Sequence, residues 1–143
     1  MALVIDGAVV AQMLRSPTGP VGRMLIERAT RFQMAAKRQL APHRKSGCLE
    51  DTITKRWEHI GGELAIRVVA DSSPCSPTRQ SYSLFVHEGT EPHTIYAKSP
   101  DKPLTFYWAL GPRGAGVYSF AKVEHPGTAP IAFFRDNLPL LVA

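Results

Sequence analysis

The sequence predicts an α+β fold in which a long N-terminal helix packs on a mostly antiparallel β-sheet and a short C-terminal helix closes it. Three observations carry this expectation. An amphipathic run extends from Pro20 to Leu40. A series of short segments rich in branched and aromatic residues follows it, and an apolar stretch near the C-terminus opens with a proline. At 143 residues the chain reads as one domain, 1–143. Residues 1–42 form its helical part, and 43–143 the sheet with its closing helix.

Taken in order, residues 4–14 read as a short helix, and Ser16-Pro17-Thr18-Gly19-Pro20 as a hinge. The clearest helix follows. Val21, Leu25, Phe32, Ala36 and Leu40, with Ala29 between, approximate one face, and Pro42 stops the run. Arg23, Glu27 and Arg31 fall on another face at a spacing where opposite charges lend slight support. His43 to Trp57 reads as a loop and a helical turn, with Leu49, Ile53 and Trp57 on one side, before Gly61-Gly62 breaks the chain. Leu64, Ile66 and Val68 alternate with Glu63, Ala65 and Arg67, the signature of a half-buried strand.

The stretch Asp71 to Ser81 contains Pro74 and Pro77 among small polar residues and is expected as an exposed loop. Tyr82–Val86, His93–Ala97, Leu104–Trp108 and Val117–Val123 are expected as strands. The glycine-rich stretch 111–116 suits a hairpin connection or a loop that orders against a neighbour. A helix over Ala129–Leu141 would close the chain, with Pro130 in its first turn and Pro139 limiting its length.

Composition bounds the function. A chain this long builds its own core without metals or disulfides. No apolar run approaches a membrane span, and MALVIDGAVVAQMLRS lacks the basic start and cleavage site of a signal peptide, so export is not expected. Cys48 and Cys75 match no metal spacing and read as free thiols, a disulfide between them being something sequence alone cannot establish. The net charge of +5 is uneven. Between Arg15 and Arg56 the only acids are Glu27, Glu50 and Asp51, so Arg23, Arg31, Lys37 and Arg38 are candidates for DNA-facing or partner-facing charge.

Catalytic signatures are missing. His87, Glu88, His93 and His125 are the residue types of a zinc site, but Gly89 and Pro92 break any helix that would align two ligands as HExxH does. There is no GxSxG elbow, and GPRGAG lacks the Gly-Lys-Ser/Thr of a phosphate loop. Phe106, Tyr107 and Trp108 beside Lys98, Lys102 and Arg113 have the makings of a single-strand stacking surface, although alternation along a strand sends at least one ring to the core. The expectation is therefore no enzyme, no metal and no cofactor.

One local echo remains. Glu88-Gly89-Thr90-Glu91-Pro92 and His125-Pro126-Gly127-Thr128-Ala129-Pro130 share Gly-Thr-x-Pro, in which Gly permits positive φ, Thr can bond nearby backbone and Pro fixes the exit. Both are read as tight turns that position the sheet and the closing helix, together with His93.

With these motifs in order, residues 44–141 resemble the neck and tail-completion proteins of long-tailed bacteriophages. The likeness rests on Ser46-Gly47-Cys48-Leu49 with Thr52-Ile53, on Val86 to Thr90 with Pro92-His93, on Leu104 and Phe106, and on Val123 to Pro130 with Phe133 and Phe134. The proline-rich loop at 74–77 and the stretch 111–116 depart from the pattern. The resemblance implies a structural virion protein at the neck or head-proximal tail, assembled in the host cytoplasm. Its copies would form a ring around the DNA channel through heterologous interfaces. The implied partners are head-closure or connector proteins and the tail terminator or tube protein, with non-specific proximity to genomic DNA and no membrane. Loops 71–81 and 98–116 would serve as docking elements. A tail terminator is the alternative within the virion. Other classes are a small metal-dependent hydrolase using His87, His93 and His125, or a nucleic-acid-binding module.

Overall fold

Pro20 pre-sets the first turn of the longest helix, α2 (Pro20–Leu40), and the chain leaves it through a 3-10 turn, Ala41–His43, that contains Pro42. The computed structural model describes residues 6–43, 46–76 and 79–142. Gly22, Ala29, Phe32, Ala36 and Leu40 are buried along one side of α2, close to the predicted face, while Val21 and Leu25 are half-buried. The shorter helix α1 (Gly7–Arg15) starts at Asp6, whose carboxylate accepts from the Ala8 and Val9 amides at 2.8 and 3.4 Å. Residues 4 and 5 of the predicted first helix lie outside the described residues.

The fold is α+β, with α2 against an antiparallel strand pair and a 3-10 helix near the C-terminus. The strands form three separate two-stranded ladders rather than one sheet. The chain packs as two compact units, Met1–Glu88 with Ile131–Ala143, and Gly89–Pro130.

In the first unit, a one-turn helix α3 (Cys48–Asp51) leads into β1 (Ile53–Ile60), which pairs with β2 (Glu63–Ala70). The expected helical turn through Ile53 and Trp57 is thus a strand. Gly61 and Gly62, at φ of 62° and 84°, form the two-residue hairpin turn that needs positive φ at both positions. The hairpin also overturns the free-thiol reading. Cys48 and Cys75 are equidistant from the Gly61-Gly62 turn, so folding back brings them opposite each other, and they form a disulfide with Cα atoms 5.8 Å apart.

Two further elements differ from expectation. Ser83–Glu88 is a helix, α4, where a strand is predicted; Val86 packs on the core while Leu84 and Phe85 face solvent. The loop 71–81 carries a 3-10 turn, Ser73–Cys75, and buries Ser72, whose hydroxyl accepts from the Tyr82 amide at 2.7 Å. Pro77 and Thr78 of that loop lie outside the described residues. The C-terminal segment is a 3-10 helix, Arg135–Leu141, shorter than predicted and with Pro139 inside it. Ala36, Leu40, Ile53 and Phe133 form the core, flanked by Leu49, Val68, Ala70, Val86, Ile131 and Phe134. No helix is long and apolar enough to cross a membrane among the described residues.

The second unit contains β3 (His93–Tyr96) paired with β6 (Lys122–His125), and β4 (Leu104–Trp108) paired with β5 (Gly116–Phe120). The single strand expected over Val117–Val123 is therefore split near Ala121 between two ladders. The stretch 111–116 is a hairpin connection, as one of its two readings expects, held by the Tyr118 hydroxyl, which accepts from the Arg113 amide at 2.9 Å and donates to Gly114 O at 2.7 Å. One face of this hairpin carries Phe106, Trp108, Tyr118 and Phe120, whose neighbouring ring centroids lie 5.6–6.3 Å apart. No residue between 89 and 130 is buried. The aromatic face is therefore the main apolar contact that holds this hairpin.

Candidate functional site

The two Gly-Thr-x-Pro motifs meet. Thr90 and Thr128 form an antiparallel bridge in which each amide donates to the other carbonyl at 3.0 Å. This bridge lies in the same register as the β3–β6 ladder, where His93 pairs with His125. In that register Pro92 falls opposite Pro126, and neither has an N–H to offer the other strand. The hydrogen-bonded ladder resumes beyond them.

Each motif supplies the same part to the other. Gly89 and Gly127 sit at φ of 74° and 84°. A Cβ on Gly89 would lie 2.5 Å from Thr128 O, and one on Gly127 would press on Thr90 O. Only glycine combines this backbone with this approach. Pro130 closes on Gly89, and Gly127 also abuts the Glu91–Pro92 peptide. The two echoes thus form a nearly symmetric clasp that binds the ends of the second unit together. The sequence shows both halves but not their pairing.

Thr90 does not act as expected. Among the described residues the Thr90 hydroxyl is buried with no hydrogen-bond partner, instead of bonding nearby backbone. Thr90→Val keeps the shape and removes that unsatisfied group, so it should leave stability unchanged or raise it by up to about 1 kcal/mol. A lowered thermal midpoint for this variant would mean that the hydroxyl has a stabilising partner.

The histidines of the clasp are set by backbone groups. The His93 ring lies 5.0 Å from that of His125, stacked at 30°. His93 Nδ1 donates to Glu91 O at 2.8 Å, and His125 Nδ1 accepts from the Gly127 amide at 3.0 Å. In the neutral rings these bonds put the remaining proton of His125 on Nε2, the atom a metal would need bare. Among the described residues no three or more His, Cys, Asp or Glu side chains are gathered to hold a metal.

His87 and Glu88 do separate work in the first unit. The His87 ring meets Phe133 edge-on at 5.1 Å, its Nδ1 donates to Glu88 Oε1 at 2.6 Å, and its Nε2 accepts from the Arg135 amide at 3.3 Å. Arg135 also reaches Glu88 Oε2 at 3.3 Å. The His87 hydrogen bond, with the Arg135 charge beside it, holds the Glu88 carboxyl below the usual carboxylate range against a desolvation that opposes it. Glu88 is therefore an anchor for the C-terminal segment. The same residues, with Ser83, Leu84, Phe134 and Leu138, line an open depression of about 480 Å³.

Of the four candidate cations on α2, Arg23, Arg31 and Arg38 are exposed and Lys37 is half-buried. Sequence reading missed the hydrogen bond from the Arg135 amide to His87 and, elsewhere in the first unit, the covalent Cys48–Cys75 bond. No protein-family model, curated protein or solved structure matches the chain.

Proposed function

We propose that this chain is a structural subunit of a tailed-phage virion, a ring-forming neck or tail-completion protein that joins head connector to tail without catalysing a reaction. The observation that carries the reading is the clasp. Two of the motifs on which the resemblance rests, Val86 to Thr90 with Pro92-His93 and Val123 to Pro130, pair with each other through Thr90 and Thr128. Their residues are thereby accounted for as structure: two glycines at positive φ, two prolines where no amide is needed, and two histidines tied to backbone. Partners would be further copies of the chain and the proteins above and below it, with genomic DNA close by.

Disruption of the gene in a phage that carries it, followed by electron microscopy of the lysate, tests this. Filled heads and normal-length tails lying apart are the expected result. Overlong tails would move the protein to the tail terminator position, and intact infectious particles would refute the structural role.

A further inference from the structure

The outer face of α2 carries cations that enter no ion pair among the described residues. Arg23, Arg31, Lys37 and Arg38 fall within a sector of about 120° on a helix of 3.6 residues per turn. That sector lies opposite the buried Gly22, Ala29, Phe32, Ala36 and Leu40. From Arg23 to Arg38 the stripe runs roughly 22 Å at 1.5 Å rise per residue. Glu27 is the only acid in it. Among the described residues, ion pairs join Arg56 and Arg67 to Glu58, His87 and Arg135 to Glu88, and Lys122 to Glu124. None engages the stripe, and the expected spacing of Glu27 with Arg23 and Arg31 yields no ion pair.

We propose that this face of α2 is a docking surface for the phosphate backbone of a nucleic-acid duplex, bound without reading its bases. The chemistry favours phosphates over an acidic protein. A stable protein interface has a desolvated apolar or aromatic centre, and the stripe offers only the exposed Met34 between its cations. Guanidinium groups, by contrast, match phosphate oxygens in pairs. A straight helix holding its cations on one side presents them along a line, as a duplex presents its charge along an axis. The inference stands apart from the neck assignment, since a neck subunit need not bind DNA and a DNA-binding chain need not enter a virion.

The test is fluorescence anisotropy of the full chain with a labelled duplex of arbitrary sequence, about 30 base pairs long. With three to four phosphates neutralised, affinity should fall roughly 40- to 150-fold between 50 and 200 mM salt. It should be indifferent to sequence. Replacing Arg23, Arg31, Lys37 and Arg38 together with Gln should abolish binding at 50 mM salt with the circular dichroism unchanged. Arg56→Gln with Arg67→Gln removes charge elsewhere and should largely retain binding. Absence of binding by the native chain would overturn the proposal. So would equal losses in the two variant sets, which would mark a general charge effect, or displacement by polyglutamate as effective as by unlabelled duplex.

Discussion

Gly127→Ala should open the second unit, at a cost of roughly 2–5 kcal/mol to its closure. Two effects add. A non-glycine residue at φ of 84° is strained by about 1–2 kcal/mol. The new methyl would also press on Thr90 O and the Glu91–Pro92 peptide, which are backbone and give way only by moving, with an overpacking cost of about 1–3 kcal/mol. The bridge it would displace joins the two ends of the unit. Limited proteolysis checks this, with cleavage between residues 89 and 130 accelerating by about 30-fold or more, the equivalent of 2 kcal/mol where opening and closing are fast relative to cleavage. Gly114→Ala is the control. It shares the left-handed backbone, at φ of 90°, but its Cβ would meet nothing within 4 Å. Equal cleavage rates in the two variants would mean that the clasp does not hold the unit closed.

Loss of the Cys48–Cys75 bond should be of similar size, in the first unit. The two cysteines are 27 residues apart in sequence. In the chain-entropy picture a loop of that length gives about 3–4 kcal/mol through restriction of the unfolded chain. Cys48→Ser with Cys75→Ser should lower the urea midpoint accordingly, and reductant should do the same to the native chain while leaving the double variant unaffected. Disulfides form and persist in oxidising surroundings and are kept reduced by cytoplasmic thiols, so the comparison is made on the oxidised chain. Alkylation of two thiols in the non-reduced, oxidatively purified chain would refute the pairing.

What could be read from the sequence, and what could not, follows from the physics of each segment. The long helix was legible because Ala29, Phe32, Ala36 and Leu40 repeat at helical spacing over enough turns to exclude a strand, with prolines near both ends. β2 was legible because its alternation is uninterrupted. Its partner was not, since Leu49, Ile53 and Trp57 are spaced by four, which puts them on one face of a helix and equally on one face of a strand. Misreading that segment hid the hairpin, and with it the disulfide. The turn Gly61-Gly62 has Cys48 and Cys75 at equal distances on either side. The α4 segment failed for another reason: Ser83–Glu88 spans fewer than two helical turns and is too short for any period to register, so its Phe and Val weighed toward a strand. At the C-terminus, Pro139 and the side chain of Asn137, which donates to Phe133 O at 2.9 Å, accompany a 3-10 winding that composition does not distinguish from an α-helix.

The candidate site was legible as two motifs and not as one object. Gly-Thr-x-Pro fixes local backbone, and nothing within either copy states that the carbonyl of the other will lie against its glycine. Pairing is a long-range fact, set by where β3 and β6 run. His87 shows the converse. Its sequence context argued against a metal ligand but could not show its partners, Phe133 and the Arg135 amide, nearly fifty residues away, which give it a packing role.

Because Thr90 and Thr128 are bonded to each other, the backbone enters and leaves the stretch 89–130 at adjacent points. Such a stretch is a cassette. Residues added to or removed from its far hairpin, around Gly111–Gly116, need not alter the separation of the two strands at the clasp, and the cost of a longer loop grows only slowly with its length. A lineage could therefore lengthen, shorten or exchange this excursion while keeping the helix α2, the β1–β2 hairpin and Phe133 unchanged, so that variation in reach is separated from variation in core.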